Sequence, residues 1–249
     1  MLFKEFGNKN APVFVALHGG GLSWWSLQKV INLLKPNYRV IVPVIDGHGE
    51  DSATTFISIQ DSAQKLITYI NQNCGGQVYA LSGLSLGAQI VTEVISMRPH
   101  IAKHAVIESA LVYPIRGISW MAQPAFDLSY GLIQKRWFSK AQAKAMCLPE
   151  EMFEQYYKDS MKLSKQSLIH ISLSNGSYRL NESIAHTSAR VLIIVGESEV
   201  GLMQKSARRL HKIIAGSELL IAARMKHGEL DLRFPDRLVE IIQHFIAGN

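Results

Sequence analysis

The fold is decided by the stretch Gln77-Val78-Tyr79-Ala80-Leu81-Ser82-Gly83-Leu84-Ser85-Leu86-Gly87, which the apolar run Leu86–Met97 continues. The first part has the pattern of a buried strand and the last part that of a helix, with a G-x-S-x-G motif between them. This strand–turn–helix setting is the one that a nucleophile elbow requires. Glycines at 83 and 87 leave room where side chains would collide with the strand and the helix. The same residues also fit a glycine-rich turn in which Ser85 is idle.

Other short apolar runs extend this pattern along the chain and predict a doubly wound, mostly parallel α/β sheet, because strands apolar throughout are covered on both faces. The predicted strands are Val13–Leu17, Tyr38–Ile45, Gln77–Leu81, Ala105–Ile107, Val191–Val195 and Glu218–Ala222. The predicted helices are Trp25–Leu34, Ile59–Gln72, Leu86–Met97, Leu202–Ile214 and Pro235–Ile246. The first ten residues leave room for one further strand.

Residues 110–185 break this rhythm, since the pattern there is helical without strands and dense in aromatic residues and methionine. Pro149 followed by two glutamates is typical of a helix start, and Gly176 after Asn175 predicts a helix end. We therefore expect three parts: core residues 1–109, a helical cap 110–185 and core residues 186–249.

Composition narrows the function classes. The 249 residues are 47% hydrophobic and 18% charged, as expected of a folded globular protein, and no apolar run is long enough to cross a bilayer. Two cysteines give no disulfide framework, and no secretion signal is visible at the start, so a soluble cytoplasmic protein is expected. No metal-ligand spacing or nucleotide-binding motif is present, and no cofactor is predicted.

The net charge of +6 is spread thinly along the chain. One basic cluster, Lys205, Arg208, Arg209 and Lys212, has helical spacing and is more typical of a solvated helix face than of a nucleic-acid surface. We therefore expect a small-molecule substrate and no nucleic-acid partner.

Further motifs follow the predicted strands in order. His18-Gly19-Gly20-Gly21 follows the first, Asp46-Gly47-His48-Gly49 the second, Gly196-Glu197-Ser198-Glu199 the fifth, and His227 the last. Together with the elbow, this order resembles the α/β-hydrolase superfamily, and more narrowly its small capped esterase-like members, over nearly the whole chain. The superfamily commonly begins with a hairpin, for which this chain has no room.

The resemblance implies a role for each motif residue. Ser85 would be the nucleophile, His227 its base, and the backbone N–H groups of Gly20 and Leu86 the oxyanion hole. His18 and His48 would support the shape of the site. Lys226 stands where the family usually has glycine before the histidine.

The triad acid departs from the family pattern, in which an aspartate most often stands where this chain has Glu199. Glu199 is the preferred assignment. Glu108, after the strand Ala105–Ile107, is the alternative, because some members of the fold take the acid from there. Glu197 is a second alternative for the acid, although its position in the loop should turn its side chain away from the histidine.

An aromatic-rich cap above a nucleophile usually walls a pocket for an apolar part of the substrate. The candidate pocket residues are Trp24, Trp120, Met121, Phe126 and Tyr130. The predicted function is a serine hydrolase that cleaves a small, partly apolar ester through an acyl-enzyme. The same triad also fits a thioesterase, amidase, lyase or C–C bond hydrolase, and the departures at Glu199 and Lys226 leave open a non-catalytic binding protein on this scaffold.

Overall fold

A computed structural model describes residues 1–248, and within them seven strands form one sheet in the order β1-β3-β2-β4-β5-β6-β7. The strands are β1 (Leu2–Phe6), β2 (Val13–Leu17), β3 (Arg39–Val44), β4 (Val78–Leu84), β5 (Ala102–Glu108), β6 (Arg190–Gly196) and β7 (Glu218–Ala222). All neighbouring strands are parallel except β1, which pairs antiparallel with β3. The predicted doubly wound, mostly parallel sheet is confirmed.

The helices alternate with the strands outside residues 110–185. They are α1 (Gln28–Leu34), α2 (Ile59–Asn73), α3 (Leu86–Met97), α4 (Ile118–Ile133), α5 (Arg136–Ala145), α6 (Phe153–Ser160), α7 (Lys165–Ser177), α8 (Gly201–Ile213), α9 (Glu229–Arg233) and α10 (Pro235–Ala247). None of the helices within residues 1–248 is long and apolar enough to cross a membrane.

The central strands are mostly apolar because both faces of the sheet are covered. Val15 and Leu17 of β2 pack with α2, α3 and α8 in one buried cluster, whereas the alternate residues Phe14 and Ala16 pack with α1 and α10 in another. Successive side chains of a strand point to opposite faces, so a strand covered on both faces is apolar at most of its positions. The carboxyl ends of β2, β4, β5 and β6 then meet along one edge, where the predicted motifs lie.

The helical segment between β5 and β6 holds α4, α5, α6 and α7 and no strand within residues 110–185, all of which the structure describes. Glu150–Met152 form a 3₁₀ turn that leads into α6 after Pro149. Gly176 was predicted to end a helix, and α7 ends one residue later, at Ser177. A Cβ at this position would lie 2.7 Å from Ile118 Cγ1, so the glycine serves the close packing of α7 against α4.

Candidate active site

Ser85 lies on the sharp turn between β4 and α3, with φ 53° and ψ −110°. The two flanking positions must be glycine because a side chain at either one would clash with backbone atoms. A Cβ at Gly83 would lie 2.5 Å from the carbonyl carbon of Gly87, and one at Gly87 would lie 2.6 Å from the carbonyl oxygen of Leu17. Such distances are shorter than any ordinary carbon contact, so the turn closes only with glycine at both positions. The strained backbone holds the serine side chain out at the carboxyl edge of the sheet.

The turn is held by hydrogen bonds to the neighbouring strand and helix. The Ser85 N–H donates to the carbonyl oxygen of Glu108 at 2.9 Å, and the Ser85 carbonyl accepts from the Gln89 N–H at 3.0 Å. Ser85 Oγ lies 2.9 Å from His227 Nε2 although the two residues are 142 positions apart in the sequence. The fold therefore brings the predicted nucleophile and base within hydrogen-bond distance.

His227 lies in the loop between β7 and α9, and this loop packs against the end of β6. A Cβ at Gly196 would lie 2.3 Å from the Met225 carbonyl oxygen, and the Ser198 N–H donates to that same oxygen at 2.9 Å. Gly228 has φ 68°, and a Cβ there would lie 3.3 Å from Leu84. The glycine that the family usually has before the histidine is Lys226 here, and its N–H donates to Glu229 Oε2 at 3.0 Å.

Glu199 connects this loop to the base. Its Oε2 lies 2.7 Å from His227 Nδ1, while its Oε1 accepts from Ser109 Oγ at 2.6 Å and from the Gly196 N–H at 2.7 Å. The Glu199 side chain is 1% exposed, whereas that of His227 is 47% exposed. Burial by itself raises the pKa of this carboxyl, but the hydrogen bonds from His227 and Ser109 outweigh it and lower the pKa below its ordinary value.

This arrangement selects one histidine tautomer. An ionised carboxylate can only accept hydrogen bonds. His227 Nδ1 must therefore carry a hydrogen and donate it to Glu199. Nε2 is then left with a lone pair facing Ser85 Oγ. The geometry gives the histidine the orientation that a general base needs.

Ser109 is a site residue that the sequence reasoning missed. It follows β5 directly, has φ 57°, and its N–H donates to the carbonyl oxygen of Ile194 in β6 at 2.9 Å. The bent backbone turns the hydroxyl toward Glu199. A polar residue two positions past a predicted strand was the available signal, since such positions reach the carboxyl edge of a parallel sheet.

Glu108, the alternative acid, is buried beneath the site, and His227 makes its side-chain hydrogen bonds with Glu199 and Ser85 instead. Burial raises the pKa of Glu108 well above its ordinary value, and the nearby charges of Asp231 and Glu199 raise it further. Burial likewise raises the pKa of Asp231 to about 7. The charged form of Glu108, which stabilisation of an imidazolium would require, is therefore disfavoured by its surroundings. Glu197 points elsewhere and accepts from the Arg224 N–H at 2.8 Å.

The two residues predicted for the oxyanion hole lie next to each other beside Ser85. A Cβ at Gly20 would lie 3.5 Å from Leu86 Cδ2, and both Gly20 and Ser85 line the same cavity. Leu86 is the first residue of α3, so its N–H has no acceptor within the helix. Their role as an oxyanion hole stays a prediction.

His18 supports the loop that carries Gly20. Its Nε2 accepts from the Ile45 N–H at 3.2 Å, so the hydrogen is on Nδ1, which donates to the Gly19 carbonyl at 2.9 Å. Burial, reinforced by the neighbouring His48 ring, lowers the pKa of His18 to about 3. A neutral imidazole thus joins the ends of β2 and β3 and fixes the glycine loop. His48, also buried, donates from Nδ1 to the Asp46 carbonyl at 3.0 Å.

A cavity of about 350 Å³ opens above Ser85, between the sheet edge and the helical segment. Its wall is mostly apolar, with Ile118, Phe126 and Ile133 from α4 and Ile171 from α7. Polar groups on the wall are all uncharged among the described residues. They are Gln142, Ser160, Ser172, Asn175 and the hydroxyl of Tyr156.

Of the five candidate pocket residues, Phe126 lines this cavity, whereas the other four are not part of its wall. Trp24 packs against Phe6 under Lys4, outside the cavity. Trp120 and Met121 point outward from α4 and are 73% and 49% exposed. The Tyr130 hydroxyl donates to the carbonyl of Leu163, a cavity-lining residue, at 3.1 Å, but Tyr130 itself does not line the cavity.

Two further features bear on binding. Within residues 1–248, no three His, Cys, Asp or Glu side chains are grouped so as to hold a metal ion. The basic cluster on α8 is engaged locally, since Arg209 pairs with Glu182 at 2.7 Å and Lys205 lies over the Tyr113 ring.

The chain matches one protein family and is similar to several known proteins. Residues 14–241 match the model of the alpha/beta hydrolase family. The chain is 24% identical to the uncharacterized hydrolase YugF of Bacillus subtilis, over 98% of this chain and 92% of that protein. Bromoperoxidase from Bacillus anthracis shares the fold with a TM-score of 0.82 at 18% identity, covering 98% of this chain and 94% of the other. A thermophilic esterase from Thermogutta terrifontis gives a TM-score of 0.77 at 16% identity, covering 99% and 93%.

Proposed function

The chain belongs to the alpha/beta hydrolase family, and from this premise we propose that it is a carboxylesterase that cleaves a small, partly apolar ester through an acyl-enzyme. The observation that carries the proposal is the continuous hydrogen-bonded row from Ser85 through His227 to Glu199, with distances of 2.9 and 2.7 Å. These residues occur in the chain order Ser, acid, His that this fold uses.

In the first half of the proposed reaction, Ser85 Oγ attacks the ester carbonyl carbon while His227 Nε2 takes the hydroxyl proton. The carbonyl oxygen becomes an oxyanion that accepts from the Gly20 and Leu86 N–H groups. The carbon–oxygen bond to the leaving group then breaks, and His227 gives its proton to the departing alcohol. The product of this half is an acyl-enzyme on Ser85.

In the second half, water replaces the alcohol. His227 removes a proton from water, the resulting hydroxide attacks the acyl carbon, and the bond to Ser85 Oγ breaks as the proton returns to the serine. A carboxylic acid leaves and the enzyme is restored. Glu199 keeps the active histidine tautomer and stabilises the imidazolium in both halves.

The cavity supports the substrate class. A cavity of about 150 Å³ accommodates benzene, so by proportion a cavity of 350 Å³ holds roughly a dozen or more non-hydrogen atoms. Its apolar wall and uncharged polar groups suit an acyl chain of medium length and disfavour a charged one, since an unpaired charge would lose its hydration there. Residues 110–185 act in this proposal as a cap over the core formed by residues 1–109 and 186–249. The cytoplasmic location stays a prediction.

Hydrolysis of p-nitrophenyl esters tests this proposal. We expect turnover by the wild type that is greatest for acyl chains of medium length, and loss of turnover in Ser85→Ala. Ser82→Ala is the matched control, because Ser82 lies three residues earlier in β4 and makes no contact with His227. Equal activity of Ser85→Ala and the control would reject the proposal. Faster cleavage of a matched thioester or anilide than of the ester would reject the ester assignment alone.

A further inference from the structure

Helix α4 exposes a continuous apolar surface on the side that faces away from the cavity. Trp120 and Leu128 are 73% and 88% exposed, and the neighbouring positions on this face are also apolar and exposed. Spacings of one, four and eight residues place them on one side of the helix. The outer surface, as we call it, consists of Trp120, Met121, Pro124, Ala125, Leu128, Gly131 and Leu132, with Trp137 just beyond on α5.

The apolar outer surface is unusual because α4 already has an apolar side that lines the cavity. Ile118, Phe126 and Ile133 form part of the cavity wall. A helix at the surface of a globular protein normally has a polar outer side, whereas the outer side of α4 is apolar and its polar residues Ser119, Gln123 and Asp127 form a separate row along one flank. Scattered exposed apolar residues need no explanation, but a contiguous row with two exposed tryptophans marks an interaction surface.

The charges near the outer surface are basic. Lys135 lies between α4 and α5, and Lys144 is exposed on the same side of α5 as Trp137, since the two are seven residues apart. Neither lysine has a carboxylate partner within residues 1–248, although their neighbours Arg136 and Lys140 pair with Glu154 and Glu150. The acidic residue of α4, Asp127, is held by Lys165. The outer surface thus presents apolar side chains with unpaired positive charge.

A second copy of the chain fits this surface poorly. A two-fold interface would bring the same face of two molecules together, with Lys135 of each copy near the other and no carboxylate on that face to pair with them. Two molecules of net charge +6 also repel each other. The combination of tryptophan, leucine and unpaired lysine is instead that of helices that lie in a membrane interface.

We propose that the outer surface binds the surface of a bilayer that contains anionic phospholipids. The tryptophan rings and Leu128 enter the boundary between headgroups and acyl chains, and Lys135 and Lys144 contact the phosphates. With 16 residues α4 is about 24 Å long, shorter than the hydrocarbon core, so it lies along the surface.

This placement has a consequence for the cavity. Its wall and the outer surface are two sides of one helix, so about 10 Å separates bound lipid from the space above Ser85. An apolar substrate dissolved in the bilayer is then held next to the site that the proposed function assigns. Binding of the outer surface to the bilayer does not depend on which reaction the site catalyses.

Sedimentation with vesicles tests the inference. The full chain is mixed with vesicles made of equal parts phosphatidylcholine and phosphatidylglycerol, or of phosphatidylcholine alone, and the bound fraction is measured. We expect binding to the anionic vesicles that weakens when salt is raised from about 50 to about 500 mM. The double variant Leu128→Ser/Trp137→Ser should bind at least about tenfold more weakly. Lys135→Gln should lose about fivefold.

Met97→Ser is the matched control, because Met97 is also exposed but ends α3 at the opposite edge of the sheet from Ser85. Its vesicle binding should equal that of the wild type. Thermal unfolding of every variant checks that the fold is intact. No binding to either vesicle, or equal binding by the double variant and the control, would overturn the inference. So would a dimer, detected by light scattering, that the double variant abolishes, since the outer surface would then serve a second copy.

Discussion

Replacing Glu199 with glutamine keeps the shape of the side chain but exchanges one acceptor oxygen for an amide donor. The structure shows what each orientation of that amide would meet. Glu199 Oε1 receives two donors, Ser109 Oγ at 2.6 Å and the Gly196 N–H at 2.7 Å, and Oε2 receives one from His227. A carboxylate satisfies all three donors, and a glutamine amide cannot.

With the amide nitrogen toward Gly196, two buried N–H groups face each other at 2.7 Å, which costs about 1–3 kcal/mol for each donor left unpaired. With the nitrogen toward His227, Nδ1 must accept and the histidine proton moves to Nε2, facing Ser85. That tautomer cannot take the serine proton. Both orientations also lose the negative charge that stabilises the imidazolium. We therefore expect kcat to fall by about 10³ to 10⁴, or about 4–5.5 kcal/mol of transition-state stabilisation.

The assay is steady-state hydrolysis of a p-nitrophenyl ester, with Glu108→Gln as the matched control. Glu108 is a buried carboxyl close to Glu199 whose charged form is disfavoured, and His227 hydrogen-bonds with Glu199 and Ser85 instead, so the kcat of Glu108→Gln should stay within a few-fold of the wild type. If Glu199→Gln kept more than a tenth of wild-type kcat, Glu199 would not be the triad acid. If Glu108→Gln lost as much activity as Glu199→Gln, the preference between the two carboxyls would be reversed.

Three further predictions follow from the surroundings of the site. Ser109→Ala removes one of the donors that hold Glu199, so kcat should fall about fivefold to thirtyfold, and an unchanged kcat would show that the hydroxyl is dispensable. Burial raises the pKa of Asp231 from 3.8 to about 7, so wild-type stability should decline as the pH rises between these values, because the unfolded chain loses the proton first. The melting temperature of Asp231→Asn relative to wild type should accordingly rise by at least about 2 °C from pH 5 to pH 8, and a difference independent of pH would contradict the burial of an acid there. Phe126→Ala enlarges the cavity and should shift kcat/KM toward longer acyl chains, whereas Leu128→Ala, on the outer side of the same helix, should leave the preference unchanged.

The sheet could be predicted because its central strands are buried on both faces and therefore apolar at most of their positions. The edge strand β1 left no such signal. Leu2 and Glu5 are exposed while Phe3, Lys4 and Phe6 are half-buried, so the segment is neither a continuous apolar run nor a clean alternation. Its place was fixed by antiparallel pairing with β3, a contact that the sequence does not display.

The site also has a part that could be predicted from the sequence and a part that could not. Ser85, Glu199 and His227 stand at the ends of recognisable strands, and the family resemblance that this order carries predicted that Ser85 meets His227. For the acid, the same reasoning preferred Glu199 but left Glu108 and Glu197 open. The cavity wall was not predictable, because α4 is apolar on both its inner and its outer side and periodicity cannot tell these two sides apart. Phe126 and Trp120 are alike in sequence, yet the first faces the cavity and the second faces away from it. The role of Ser109 was missed because its hydroxyl reaches Glu199 only through a backbone bend, and the residue type does not predict that bend.

The central claim is that His227 activates Ser85 for nucleophilic attack. Its most direct test is the intact mass of the protein after exposure to a fluorophosphonate, followed by peptide mapping. The account predicts one adduct per chain, located on Ser85, and none in Ser85→Ala or His227→Ala under the same conditions. An unmodified wild type, or an adduct on another residue, would contradict it.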